Sequence, residues 1–171
     1  MNEAQFCGII KNSFPKDWIF KIPDPSGDFA MTVKRAFDGI GMIQKEDGIH
    51  FLCWEAKYLS KAGAFNFQRI ELHQDFFLRQ FRHAMGVISY VIVGIDFGRA
   101  DKRVFIFDWD EDFGKLYTEG FSIHKKILEK LPYNKVTKQA FEVKNIIDYK
   151  TLMSFYPERS LNTSDTTKVT S

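Results

Sequence analysis

Asp38, Glu55 and Lys57 are the residues whose types and spacing carry the most chemical information in this chain. Glu55 and Lys57 lie two apart in Phe51-Leu52-Cys53-Trp54-Glu55-Ala56-Lys57, a stretch that is otherwise apolar. In a strand, residues two apart share a face, so this carboxylate and ammonium point the same way, with Phe51 and Cys53 on the same side. Asp47-Gly48 is a hairpin turn signal. It predicts that a strand at 49–57 folds back along one at 35–44, which sets Asp38 beside Glu55. Two carboxylates converging at the end of a hairpin attract a hard divalent cation such as Mg²⁺, which takes oxygen ligands. Such an ion lowers the pKa of bound water and offsets charge on a phosphate under attack. Lys57 then has two jobs open to it: to orient or help deprotonate the water, or to stabilise the pentavalent oxyanion. Burial among apolar side chains lowers its pKa and the two carboxylates raise it, and the sequence leaves that balance open.

Elements must be found that bring these groups together. Residues 3–14 carry Phe6, Ile9, Ile10 and Phe14 at helical spacing, and Pro15 ends the pattern. A short strand is expected at 18–22, followed by a Pro/Ser/Gly loop at 23–27. After the hairpin, a loop at 59–67 leads to a helix at 69–85. Ile70, Gln74, Phe77, Phe81 and Met85 are expected to form one face of that helix, which puts Gln74 in an apolar stripe. A buried amide needs partners. Gln74 is therefore either a satisfied core glutamine or a group that reaches the carboxylates and holds a water or a metal ligand; His73 beside it is a surface histidine or a phosphate contact. The β-branched run at 87–96 reads as a buried strand and 103–109 as its partner, with helical patterns again at 121–131 and 143–154. This order predicts an α/β (α+β) fold in which a central mixed sheet is flanked by helices. Residues 1–157 are expected to form a single domain, and 158–171, which are Ser/Thr-rich with few large apolar side chains, a disordered tail.

Composition narrows the setting. A net charge of +2 permits nucleic-acid binding without arguing for it. The distribution says more: residues 121–150 hold seven lysines against three acids, whereas Asp108 to Asp112 is acidic. That acidic run lacks the glycine and terminal glutamate of a calcium loop and is expected to be a solvated turn. Cys7 and Cys53 show no disulfide or zinc spacing, and Cys53 reads as a small core hydrophobe. No basic-then-apolar leader pattern opens the chain, and the apolar run at 87–95 is too short to span a bilayer. A reducing, cytoplasmic setting without membrane association is the expectation.

Asp38 followed by Trp54-Glu55-Ala56-Lys57 resembles the active-site strand pair of the PD-(D/E)xK nucleases, and implies their restriction-endonuclease-like core. More narrowly, Phe37-Asp38-Gly39, Glu55-Ala56-Lys57, Asn66-Phe67 and His73-Gln74, taken in order, are similar to motifs of the RecU-type Holliday junction resolvases. Lys21-Ile22-Pro23-Asp24-Pro25 resembles the Pro-containing segment those proteins carry before the hairpin. The likeness covers roughly residues 9–109 and suggests a short phage or mobile-element member. It implies a Mg²⁺- or Mn²⁺-dependent homodimeric endonuclease that nicks branched DNA, above all four-way junctions, in recombination or repair. It implies Asp38, Glu55 and the Ala56 carbonyl as metal ligands, and Asp38, Glu55, Lys57 and Gln74 as the catalytic set. DNA contacts are expected from Lys61, Arg69 and His73. The family's first-helix acid has one candidate here, Glu3. The gap from Asp38 to Glu55 is longer than that family's, which bears on junction specificity more than on the chemistry. Two other readings stay open: a restriction- or repair-type nuclease of the same fold, and a non-catalytic DNA- or protein-binding module. Retention of both Asp38 and Lys57 favours catalysis.

Overall fold

The computed structural model describes residues 1–14, 19–22 and 35–160. The expected loop at 23–27 and the tail beyond residue 160 lie outside them. The first helix, α1 (Glu3–Ser13), starts on a capping box in which Asn2 and Gln5 satisfy each other's backbone amides, and it buries Phe6, Cys7, Ile9 and Ile10. Next come β1 (Ile19–Lys21), β2 (Gly39–Lys45) and β3 (Gly48–Leu59). The β2–β3 hairpin turns on two residues, Glu46 and Asp47, and Gly48 supplies the positive φ of 135° that closes it. A short strand β4 (Phe65–Asn66) and a 3₁₀ turn (Phe67–Arg69) precede α2 (Leu72–Met85), which ends on Gly86 in the left-handed region.

The rest of the sheet comes from β5 (Ile88–Asp96), β6 (Lys102–Asp108) and β8 (Asn134–Lys135). Its order is β1-β2-β3-β5-β6-β8. Every pairing is antiparallel except β3–β5, which runs parallel across the α2 crossover. The chain is thus a mixed six-stranded sheet flanked by helices. α3 (Glu111–Thr118), β7 (Ser122–Ile123, paired with β4), α4 (Lys125–Leu128), α5 (Tyr149–Met153) and α6 (Pro157–Ser160) complete it.

Strand parity sorts the side chains of β3 into two cores. Leu52, Trp54, Ala56 and Tyr58 pack with α1, whereas Cys53 and Leu59 join Leu78 of α2, Val91, Val93 and the Phe67–Phe107–Trp109–Phe113 cluster on the other face. Most of the abundant phenylalanine is spent here as packed rings, each contributing on the order of 1.5–3 kcal/mol when fully buried.

Several sequence expectations are corrected. The helix expected at 121–131 is the strand β7 and one turn of α4, and that at 143–154 is only α5, preceded by extended backbone in which Ile147 bridges Phe107. The acidic run is no solvated turn: Asp108 pairs with Arg82, and Asp110 accepts from the amides of Asp112 and Phe113 to cap α3. The apolar stripe of α2 also runs out, because Phe77 and Met85 are exposed and the buried positions are Gln74, Asp75 and Leu78. Phe51, although of the same parity as Glu55, is exposed rather than part of the lining of the carboxylate site. Residues 157–160 form the short helix α6.

Candidate metal centre

Gly39 pairs with Trp54, so Asp38 stands across from Glu55 at the open end of the hairpin. The chain packs tightly at this point. A Cβ on Gly39 would collide with the Trp54 ring and the Phe20 carbonyl, so glycine lets the strand approach closely. Asp38 is buried; its Oδ2 accepts from the Ala56 amide at 2.9 Å, and its Oδ1 pairs with Arg35 Nη2 at 2.9 Å.

Glu55 is the centre of the arrangement. Its Oε1 accepts from Lys57 Nζ and from Gln74 Nε2, each at 2.7 Å. Its Oε2 is fully buried and has no hydrogen-bond partner among the described residues. Burial, then the neighbouring Asp38 charge, push the Glu55 carboxyl up to about 7, although Lys57 pulls the other way. The balance left open for Lys57 is resolved: burial lowers its pKa, but Glu55, Glu3 and Asp38 together outweigh that and raise it above the ordinary lysine value.

Glu3, the first residue of α1, completes the set. Its carboxylate lies 4.0 Å from Lys57 Nζ, and one oxygen each from Glu3, Asp38 and Glu55 lie within 4.8 Å of one another. A buried carboxylate oxygen with an unused lone pair, beside two further carboxylates, is the donor set a hard cation takes. The three acids can therefore hold a metal ion, with Glu3 on the solvent side and the other two in the protein.

The expected residues are thus brought together at Asp38, Glu55, Lys57 and Gln74, the glutamine reaching Glu55 as one of its two readings required. The side-chain oxygen of Gln74 accepts from the Glu71 amide, so the helix start fixes the amide's orientation. His73 is turned elsewhere: its Nε2 meets the Arg35 carbonyl at 2.8 Å, and because a carbonyl only accepts, Nε2 carries the proton. Lys61 and Arg69 are exposed, and the backbone amide of Ala56 is engaged by Asp38. Sequence reasoning missed Arg35, whose signal was its place three residues before Asp38.

The chain matches no protein-family model and no curated protein. No helix among the described residues is long and apolar enough to cross a membrane.

Proposed function

We propose that this protein is a divalent-metal-dependent endodeoxyribonuclease with a restriction-endonuclease-like core, and that branched DNA is its substrate. The observation that carries the reading is Glu55: a buried carboxylate with one unused oxygen, flanked by Asp38 and Glu3 and bonded to Lys57 and Gln74. Asp38, Glu55 and Glu3 would hold Mg²⁺ or Mn²⁺, with the Ala56 carbonyl the further ligand that the family resemblance implies. The bound ion would supply an activated water and offset charge on the phosphate. Lys57, kept charged by the carboxylates around it, is suited to donating to the oxyanion that develops on phosphorus rather than to removing a proton. Gln74 holds Glu55 in one rotamer and so fixes the direction of its free oxygen. Arg35 pairs with Asp38 Oδ1 and would be a candidate contact for a substrate phosphate. The preference for branched DNA in recombination or repair rests on the motif resemblance to the junction resolvases.

Cleavage of four-way junction, flap and linear duplex DNA, side by side with Mg²⁺, Mn²⁺ and chelator, tests this. Metal-dependent cutting of the junction, lost by about 10²–10³-fold or more in Asp38→Asn and Lys57→Ala while DNA binding persists, is the expected result. Full activity in either variant places the centre elsewhere, and equal cutting of linear duplex makes the protein a general or restriction-type nuclease.

A further inference from the structure

The segment that carries Asp38 is tied to α2 at two points. Phe37 is buried and packs edge-on against Phe81, with ring centroids 5.3 Å apart. About two helical turns earlier, His73 donates from Nε2 to the Arg35 carbonyl at 2.8 Å. Its other ring nitrogen stands 3.6 Å from Glu71 Oε2, beyond hydrogen-bond length, so the contact to Arg35 is the short one. Arg35 in turn spans the site. Its Nη1 donates to the Ile22 carbonyl at 3.1 Å and its Nη2 reaches Asp38 Oδ1 at 2.9 Å. The Ile22 amide donates back to the Asp38 carbonyl at 2.7 Å, which closes a ring of contacts around that acid.

We propose that His73 is a positioning residue of the metal centre: it anchors Arg35, and through Arg35 it fixes the plane of the Asp38 carboxylate. Gln74, the next residue, holds Glu55 Oε1 at 2.7 Å. Two consecutive residues in the first turn of α2 thus govern the two buried acids, one directly and the other through a neighbour. The Asp38 carboxylate is gripped at both oxygens, by Arg35 on Oδ1 and by the Ala56 amide on Oδ2. The Ala56 amide is set by β3, but Arg35 lies outside any helix or strand. Its guanidinium ends a long side chain with much rotamer freedom, and a fixed backbone is what returns it to one place. His73 supplies that anchor. The nitrogen with which His73 could donate to a phosphate is engaged by a backbone carbonyl inside the protein, which favours positioning over the phosphate contact expected from sequence.

Groups that orient metal ligands from behind change metal affinity or activity by about 10–100-fold when they are removed. Substituting His73 leaves Arg35 and all three acids in the chain, so a change in cation binding reports their arrangement. The proposal rests on the three acids holding a cation and is independent of what the substrate is.

Binding of Mn²⁺ to the whole chain without DNA, followed by the electron paramagnetic resonance of the free ion, tests this. His73→Phe keeps a ring and removes the donor, and is expected to weaken Mn²⁺ binding by about 10-fold or more. The Phe37–Phe81 contact still holds the segment, so circular dichroism is expected to be unchanged. His73→Gln, whose amide nitrogen can reach the position of Nε2, is expected to stay within about threefold of the wild type. In an Arg35→Ala background His73→Phe is expected to cost less than about twofold, because the side chain through which it acts is already gone. Unchanged Mn²⁺ affinity in His73→Phe overturns the proposal. So does tighter binding, which would make Arg35 a competitor of the cation. No recovery in His73→Gln, or equal losses with and without the Arg35 side chain, overturns it too. Weaker junction binding in chelator with Mn²⁺ affinity intact returns His73 to a phosphate contact. A wild type that holds Mn²⁺, loses it in His73→Phe and cuts no DNA leaves the positioning role standing and removes the nuclease; a wild type that cuts junctions while His73→Phe leaves Mn²⁺ binding unchanged does the reverse.

Discussion

Glu55 has one oxygen held by two donors and the other sealed from water, and this asymmetry makes its protonation depend on what else is present. In the folded chain its pKa is about 7, against 4.5 ordinarily. Between those values the folded state keeps a proton that the unfolded state has lost. The contribution of Glu55 to stability is therefore greatest below the lower value and declines as pH rises through the upper one. A divalent cation requires the ionised form and binds only the folded chain. The rise in melting temperature on adding Mn²⁺ is accordingly expected to grow from about pH 6 to about pH 8, and differential scanning fluorimetry reads it. An equal rise at both pH values would mean that Glu55 is not a ligand. Much of this centre was legible beforehand. Strand parity aligns Glu55 with Lys57, the turn returns the chain to Asp38, and a glutamine in an apolar helix pattern flags Gln74. Glu3 could only be nominated, because its approach depends on how α1 lies against β3, and no local pattern encodes that. The free Oε2, the strongest pointer to a cation, is a property of packing and is invisible in any string of residues.

The position of α2 decides whether Gln74 reaches Glu55, and a buried polar lock holds that helix. Asp75, next to Gln74 and 1% exposed, accepts from the Arg79 guanidinium at 2.7 Å and from Trp109 Nε1 at 2.9 Å. Arg79 extends the link to Glu111 of α3. Removing Asp75 leaves a cation and an indole N–H without their shared acceptor. Asp75→Ala is expected to cost about 3 kcal/mol, the low end for breaking a buried pair because Arg79 keeps Glu111 and some water. Urea unfolding measures it, and a loss under 1 kcal/mol, within the range of an ordinary surface change, would show that α2 is held by its apolar contacts alone. The helix that receives this lock was itself missed. The chain from Asp108 to Asp112 is so acidic that it reads as solvent-exposed, yet Asp110 is a capping residue and Phe113 and Leu116 behind it are core positions. Conversely, 121–131 and 143–154 have helical spacing but mostly extended or irregular backbone. Their apolar residues are pinned by sheet pairing and by ring contacts such as Phe121–Tyr156. Long strands and helices with many periods were readable, whereas segments of two to five residues follow tertiary contacts.

Charge across the chain balances to only +2, so any grip on DNA comes from where lysines and arginines gather rather than from net attraction. Lys61 and Arg69 are exposed in the segment between β3 and α2, and Lys125, Lys126 and Lys130 are exposed around α4. If these make the phosphate contacts, log K for duplex arms should fall by about 0.9 per contact for each tenfold rise in salt. Fluorescence anisotropy on junction and linear duplex is expected to give similar slopes with an offset favouring the junction, since the two share phosphates and differ in geometry. Lys61→Ala and Arg69→Ala are each expected to lower the slope by about one contact. A slope near zero would remove DNA as the partner.

The parallel pairing of β3 with β5 bears on how the centre is assembled. β2 and β3 meet through a two-residue turn, so the hairpin bearing Asp38, Glu55 and Lys57 closes a loop of minimal entropy cost. β3 and β5 meet in register only after the chain has travelled from Cys53 to Ser89 with α2 between them. That non-local closure is the slow kind. Asp38 and Glu55 are therefore expected to converge before Gln74 arrives to orient Glu55, in an order that mutational folding kinetics at Gly48 and Leu78 would read.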